Sequence, residues 1–265
     1  MLLAIDAGNT QTAIGLFVSR RTGAGAAPAH HWRIATNASH TADEWALMVS
    51  QLLGLSGLSF ADVDGIAVSS TVPRALAALR EMVGAWLSVP CVVVEPGCRT
   101  GMAILYDNPR EVGADRIANA VAAYQLYRGP TMVVDFGTAT TVDVVSARGE
   151  YLGGAIAPGI EISLDALFAR AAALPRVELV EPRNVIGKST VESMQSGALY
   201  GYAAQADGLC RRVRDQVGPS TVVATGGLAE VMIPYLSVDP HHEPWLTLYG
   251  LALIYDRNLE SGRET

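Results

Sequence analysis

Three aspartates and three glycine turns hold the residues of this chain best suited to chemistry. "LLAIDAGNTQTAIGLF" (2–17) and "VVDFGTATTVDVV" (133–145) share one pattern. Each has an apolar strand, an aspartate, one residue, a glycine, a threonine-bearing turn and a second apolar strand. Asp6 and Gly8 take the same relative places as Asp135 and Gly137, while Ala139 stands where the first copy has Thr10, between Thr138 and Thr140. Backbone amides and side chains around Gly8, Asn9, Thr10, Gly137 and Thr138 can donate to phosphate oxygens. Asp6 and Asp135 can then hold the cations that accompany phosphates. Either aspartate alone could be a strand-end residue capping its own turn; the repetition favours a ligand. A third turn, "VVATGGLAE" (222–230), passes from strand to helix through Gly226 and Gly227. Paired glycines let a ligand lie against the backbone at a helix start.

The segment "YDNPREVGADRIANAVAAYQLY" (106–127) adds an acid–base candidate. Asn108-Pro109 marks a loop, and Gly113 opens a helix with Asp115 and Arg116 in its first turn. Asp115 can accept a proton, and Arg116 can bind a carboxylate or phosphate. The plainer alternative is an aspartate on the helix dipole beside a surface arginine. "PRNVIGKST" (182–190) ends like a P-loop but has Pro182 where the first glycine is required, so a Walker motif is rejected. The pairs His30/His31 and His241/His242 lie in expected surface segments without partner ligands.

Positioning these residues needs two similar α/β halves, each opening with a β-hairpin. In the first, strands are expected at 30–35, 65–70 and 91–95, and helices at 41–53 and 73–87. In the second, strands are expected at 151–157 and 220–225, and helices at 159–171, 189–216 and 245–259. Residues 19–29, "SRRTGAGAAPA", read as a flexible hairpin tip. The expected whole is a two-lobed fold with a cleft between halves, divided into 1–116 and 117–265.

Bulk properties narrow the partners. The chain has 265 residues, a net charge of −7 and a pI near 5.2. That balance argues against a nucleic-acid backbone binder. Half of the residues are hydrophobic and 17% are charged, enough for a sizeable core. Cys91, Cys98 and Cys210 form no C-x-x-C pair, which suggests reduced core thiols in a cytoplasmic protein. No signal peptide is read at the start, and the charge-free run 45–61 is too polar and broken to span a membrane.

Together "DAGNT" (6–10), "NPREVGADR" (108–116), "VDFGTATT" (134–141), "GGAIAPGI" (153–160), "MQSGALYGY" (194–202) and "ATGGLA" (224–229) resemble the signature segments of type III pantothenate kinases. The resemblance runs from Met1 to about Asn258 in the family's order. It implies the actin-like, sugar-kinase-like ATPase fold and transfer of phosphate from ATP to pantothenate, the first step of coenzyme A synthesis. By motif, the first hairpin (Asp6, Ala7, Gly8, Asn9, Thr10, Gln11, Thr12, Ala13) grips ATP, and Thr138 also contacts it. Asp115 is the implied general base. Tyr106, Gly113, Ala114, Asp115 and Arg116 line the pantothenate site, with Thr190 on its far side. Asp135 is the implied ligand of a monovalent cation, K+ or NH4+, and Mg2+ travels with ATP. The helix 189–213 carries stripes of small and flat residues that, with the family's arrangement, point to a homodimer. A ligand-binding regulatory protein on the same fold is the alternative class, as is another small-molecule kinase. The intact Asp6, Asp115, Asp135 and Arg116 favour the enzyme.

Overall fold

The computed structural model describes residues 1–18, 27–171 and 173–261. Two compact units emerge: Met1–Leu126 together with the segment from Trp245, and Tyr127–Pro244.

The first unit contains β1 (Leu2–Ala7), β2 (Gln11–Phe17), β3 (His30–Ala35), α1 (Ala42–Leu55), β4 (Gly65–Ser70), α2 (Pro73–Met82), β5 (Cys91–Val93), the short β6 (Ala103–Ile104) and α3 (Ala114–Tyr127, whose last residue begins the second unit). Five strands form a sheet in the order β3-β2-β1-β4-β5. The hairpin strands pair antiparallel, whereas β4 lies parallel to both β1 and β5. Strand β1 is buried on both faces, so its apolar run is nearly continuous instead of alternating. One face carries Leu3, Ile5, Ile14 and Leu16 into a core with Trp45 and Leu53 of α1 and Leu79 of α2. Helix α1 starts where Thr41 and Glu44 form a reciprocal capping box: Glu44 N–H donates to Thr41 Oγ1, and Thr41 N–H to the Glu44 carboxylate. Helix α2 begins on Pro73, and beyond Met82 it widens into a π turn, Val83–Leu87, instead of running on as the expected α-helix. Gly84 lowers the helical preference there.

The second unit contains β7 (Thr131–Phe136), β8 (Ala139–Val145), β9 (Glu150–Pro158), α4 (Ile160–Arg170), α5 (Thr190–Val217), β10 (Thr221–Thr225), α6 (Ala229–Met232) and β11 (His241–His242). Within it the strand order is β11-β10-β7-β8-β9, with β7-β8-β9 antiparallel and β10 parallel to β7 and β11. This repeats the first unit strand for strand. Phe136, Val134 and Val142 meet Leu199, Ala203 and Ala206 of α5 in its core.

The duplication is closer than the sequence pattern suggests, because the hairpins differ in length by one residue. Asp6 stands opposite Ala13, and Asp135 opposite Thr141. Ala7 pairs with Thr12 as Phe136 pairs with Thr140. Thr12, Ala13 and Gly15 therefore correspond to Thr140, Thr141 and Asp143.

The closing helix α7 (Leu246–Ser261) belongs with the first unit, not with the second half where sequence order puts it. The reason is close backbone packing. Gly65 on β4 lies directly beneath the ring of Tyr255, and Gly250 lies against the Ala118 carbonyl of α3; a Cβ at either glycine would collide. Thr247 also donates to Asn119 Oδ1 at 2.8 Å. Those contacts hold α3 in the first unit as well, past the expected boundary at Arg116. Residues 19–26 of the expected hairpin tip lie outside the described residues. The three thiols are free, but only Cys210 is a core residue: Cys91 is exposed and Cys98 half-buried.

Candidate active site

In the first unit, Asp6 is the last residue but one of β1 and is half-buried. Ser69 lies opposite on the parallel strand β4 and donates its hydroxyl to Asp6 Oδ1 at 2.6 Å. Ser69 is fully buried, so this bond sets the carboxylate's rotamer. Gly8 N–H closes the turn onto the Gln11 carbonyl at 3.0 Å, and Thr36 N–H donates to the Thr10 carbonyl at 2.9 Å. The buried Thr12 hydroxyl pairs with that of Thr36 at 2.8 Å. Asn9, Thr10 and Gln11 are left exposed at the tip. The eight residues Asp6–Ala13 thus form a pinned loop with Asn9, Thr10 and Gln11 outward.

Tyr106 and the turn Gly113–Arg116 belong to the same unit. Asn108 and Glu111 brace the approach through a 2.7 Å hydrogen bond. Helix α3 begins at Ala114, and Ile117 N–H reaches back to the Gly113 carbonyl at 3.1 Å. Asp115 folds over this first turn and accepts from the Arg116 N–H at 2.8 Å. A Cβ at Gly113 would stand 2.5 Å from Asp115 Oδ1, so only glycine leaves room for that carboxylate. Arg116 is 8% exposed, which overturns the reading of a surface arginine. A guanidinium has five N–H donors in a rigid planar fork.

In the second unit, Asp135 is the last residue but one of β7, as Asp6 is of β1. Thr225 faces it from β10 and Thr141 from β8. Gly226 has φ of +95°, and a Cβ there would collide with Asp135 Oδ1 and stand 2.7 Å from the Phe136 nitrogen. Gly137 approaches the same oxygen, at 3.3 Å from its notional Cβ. Glycine backbone therefore cradles one carboxylate oxygen. Gly137 N–H closes the short turn on Ala139, leaving Thr138 exposed at the tip. Gly159, at the start of α4, packs under that tip and donates to the Thr138 carbonyl at 3.1 Å. Thr190 opens α5 as an exposed residue; its neighbour Ser189 caps the helix by accepting from Glu192 N–H at 3.2 Å. Among the described residues no group of three His, Cys, Asp or Glu side chains stands together as a metal cluster.

Sequence reasoning missed Ser69, Thr225, Thr141 and the fully buried Asp143. The only signal was a hydroxyl at the end of each parallel strand, in "GIAVSS" and "STVVAT". Its meaning depends on register, which is not local.

Residues 2–212 match the family model described as type III pantothenate kinase. A type III pantothenate kinase of Streptomyces avermitilis is 55% identical, the alignment covering 98% of this chain and 99% of that one. One from Acidothermus cellulolyticus is 53% identical with the same coverage. Among solved structures, a ROK family glucokinase from Streptomyces griseus in complex with glucose and AMPPNP aligns with a TM-score of 0.53 at 13% identity, over 97% of this chain and 98% of that one. A conserved putative Baf family transcriptional activator from Campylobacter jejuni aligns with a TM-score of 0.58 at 17% identity, over 97% and 99%. At such identities the likeness speaks for the fold alone, that of the sugar-kinase-like ATPases.

Proposed function

This chain belongs to the type III pantothenate kinase family, and from that premise we propose how its residues divide the work of phosphorylating pantothenate with ATP. The reaction feeds coenzyme A synthesis and gives 4'-phosphopantothenate and ADP. The observation that carries the assignment of roles is the first turn of α3. There Asp115 is oriented by the Arg116 N–H over a glycine that leaves it space.

Phosphoryl transfer asks the protein for in-line positioning, charge neutralisation and one proton acceptor. Asp115 takes the proton from the terminal hydroxyl of pantothenate as the oxygen–phosphorus bond forms. Arg116 binds the substrate's anionic end, and Tyr106, Gly113 and Ala114 complete that wall; Thr190 is assigned to the same substrate. The exposed tip of the first hairpin, Gly8 to Gln11, offers amides and side chains to the phosphates of ATP, and Thr138 does so from the second. Asp6, steadied by Ser69, suits the Mg2+ that accompanies ATP. Asp135 suits K+ or NH4+: glycine backbone lies against one of its oxygens, and threonines on both neighbouring strands add hard oxygen donors. A monovalent cation bound there offsets negative charge on the phosphates.

A homodimer through α5 is supported by Gly197, Gly201 and Ala204, which form an exposed stripe of small residues. A cytoplasmic location is supported by the three free thiols. No helix among the described residues is long and apolar enough to cross a membrane. The net charge of −7 favours small-molecule partners over nucleic acid.

The test is ADP release by the purified chain with ATP and Mg2+, with and without pantothenate, in KCl and in NaCl. Release that depends on pantothenate and rises in KCl is expected. Release indifferent to pantothenate would remove it as the substrate.

A further inference from the structure

Strand β8 buries a carboxylate for which the reaction above has no use. Asp143 is fully buried. Its Oδ1 accepts from the hydroxyl of Tyr151, also fully buried, at 2.6 Å. Its Oδ2 accepts from Thr141 Oγ1 at 3.1 Å. Thr141 is two residues back along the strand, so both side chains leave the same face. On that face Thr141 stands directly opposite Asp135. Residues so paired have Cβ atoms about 4.5–5.5 Å apart, a span that one cation bridges.

A threonine hydroxyl has one proton and two lone pairs. Thr141 commits its proton to Asp143. What it can present toward Asp135 is therefore a lone pair, which suits a cation and offers nothing to a phosphate oxygen. We propose that Thr141 is a second protein ligand of the monovalent cation at Asp135, and that Asp143 is the positioning residue that fixes its hydroxyl in the acceptor orientation. The inference rests on the assignment of that cation to Asp135.

The duplicated hairpin supplies the internal comparison. In the first unit the places of Thr141 and Asp143 are taken by Ala13 and Gly15, in the same register against β1. That hairpin folds and holds Asp6 without a hydroxyl or a carboxylate there. The pair is thus not a demand of the architecture, and burying a carboxylate is costly without a return. It stands only in the half whose aspartate is assigned the cation. Tyr151 steadies Asp143 as outer hydrogen-bond partners steady metal ligands generally.

The test uses the purified full chain. Calorimetry follows ATP binding as KCl replaces NaCl at constant ionic strength, and equilibrium dialysis follows binding of Tl+ as a K+ probe. Thr141→Val should raise the K+ midpoint and weaken Tl+ binding by about tenfold or more, while Thr141→Ser restores both. Asp143→Asn should shift the same midpoint in the same direction with an unchanged KM for pantothenate. A purely structural network would instead lower Tm in Thr141→Val and leave the midpoint where it was. Wild-type protein indifferent to K+ would overturn the cation assignment at Asp135 and this inference with it. Wild-type dependence with an unshifted Thr141→Val midpoint would overturn this inference alone.

Discussion

Asp115 is the residue to which we assign the proton transfer, and its geometry makes a clean substitution possible. Asparagine keeps the oxygen that accepts from Arg116 N–H but cannot take a proton. Asp115→Asn should keep the wild-type Tm and lower kcat by about a hundredfold or more. A near wild-type rate with an unchanged pH profile would take Asp115 out of the role. A second residue-scale expectation concerns Cys210. Burial pushes its thiol from the ordinary value of 9.0 up to about 11. It therefore stays protonated in the folded chain where an unfolded chain would ionise. The folded state binds the extra proton, so this contribution to stability is intact below pH 9.0 and is lost as pH climbs through about 11. A thiol reagent at neutral pH should modify the exposed Cys91 first and reach Cys210 only after denaturation. Labelling of Cys210 at the rate of Cys91 would contradict its burial.

At the scale of elements, the turn from β10 into α6 decides how Asp135 sits. Gly226 is at φ +95° with Asp135 Oδ1 against it, and Leu228 N–H donates to the Phe136 carbonyl at 3.1 Å. Gly226→Ala should cost about 1–2 kcal/mol from backbone conformation alone and should also displace the carboxylate. Chemical denaturation would read the first effect and ATP titration in KCl the second. A variant with wild-type stability and wild-type ATP affinity would show that the turn does not constrain Asp135. The end of the same excursion is anchored separately. Asp207 of α5 accepts from Ser237 N–H at 3.0 and 2.9 Å and from Val238 N–H at 3.2 Å. The loop after α6 is thereby tied to the longest helix, so that a change at Gly226 is read locally.

For the molecule as a whole, α5 is the element through which assembly can be tested. A Cβ at Gly201 would meet nothing within 4 Å, so a larger side chain is accommodated by the isolated chain. Gly201→Leu should leave Tm close to wild type at low concentration. If α5 packs on its own copy, as small exposed residues allow, the same change should weaken association and raise the apparent KM for pantothenate together. Light scattering at assay concentration measures the first and initial rates the second. A wild-type chain that is fully active as a monomer would rule out the shared arrangement.

The sequence by itself determined the elements, the duplication and the family. Apolar runs, Pro73 and the Asp-x-Gly hairpins are local signals, and local signals survive in the linear pattern. It also placed Asp6, Asp115 and Asp135 at strand ends and a helix start, where the structure has them. What tertiary structure alone decided depends on register and on distant packing. Ser69 reaches Asp6 across 63 positions in the chain, and the partners of Asp135 come from two different strands. The one-residue difference between the hairpins hid the equivalence of Ala13 and Thr141, because a single shift changes which side chains share a face. Helix α7 and the body of α3 joined the first unit because Gly65 and Gly250 admit Tyr255 and the Ala118 carbonyl. Periodicity shows that a helix has a buried face; only the packed structure shows which sheet covers it.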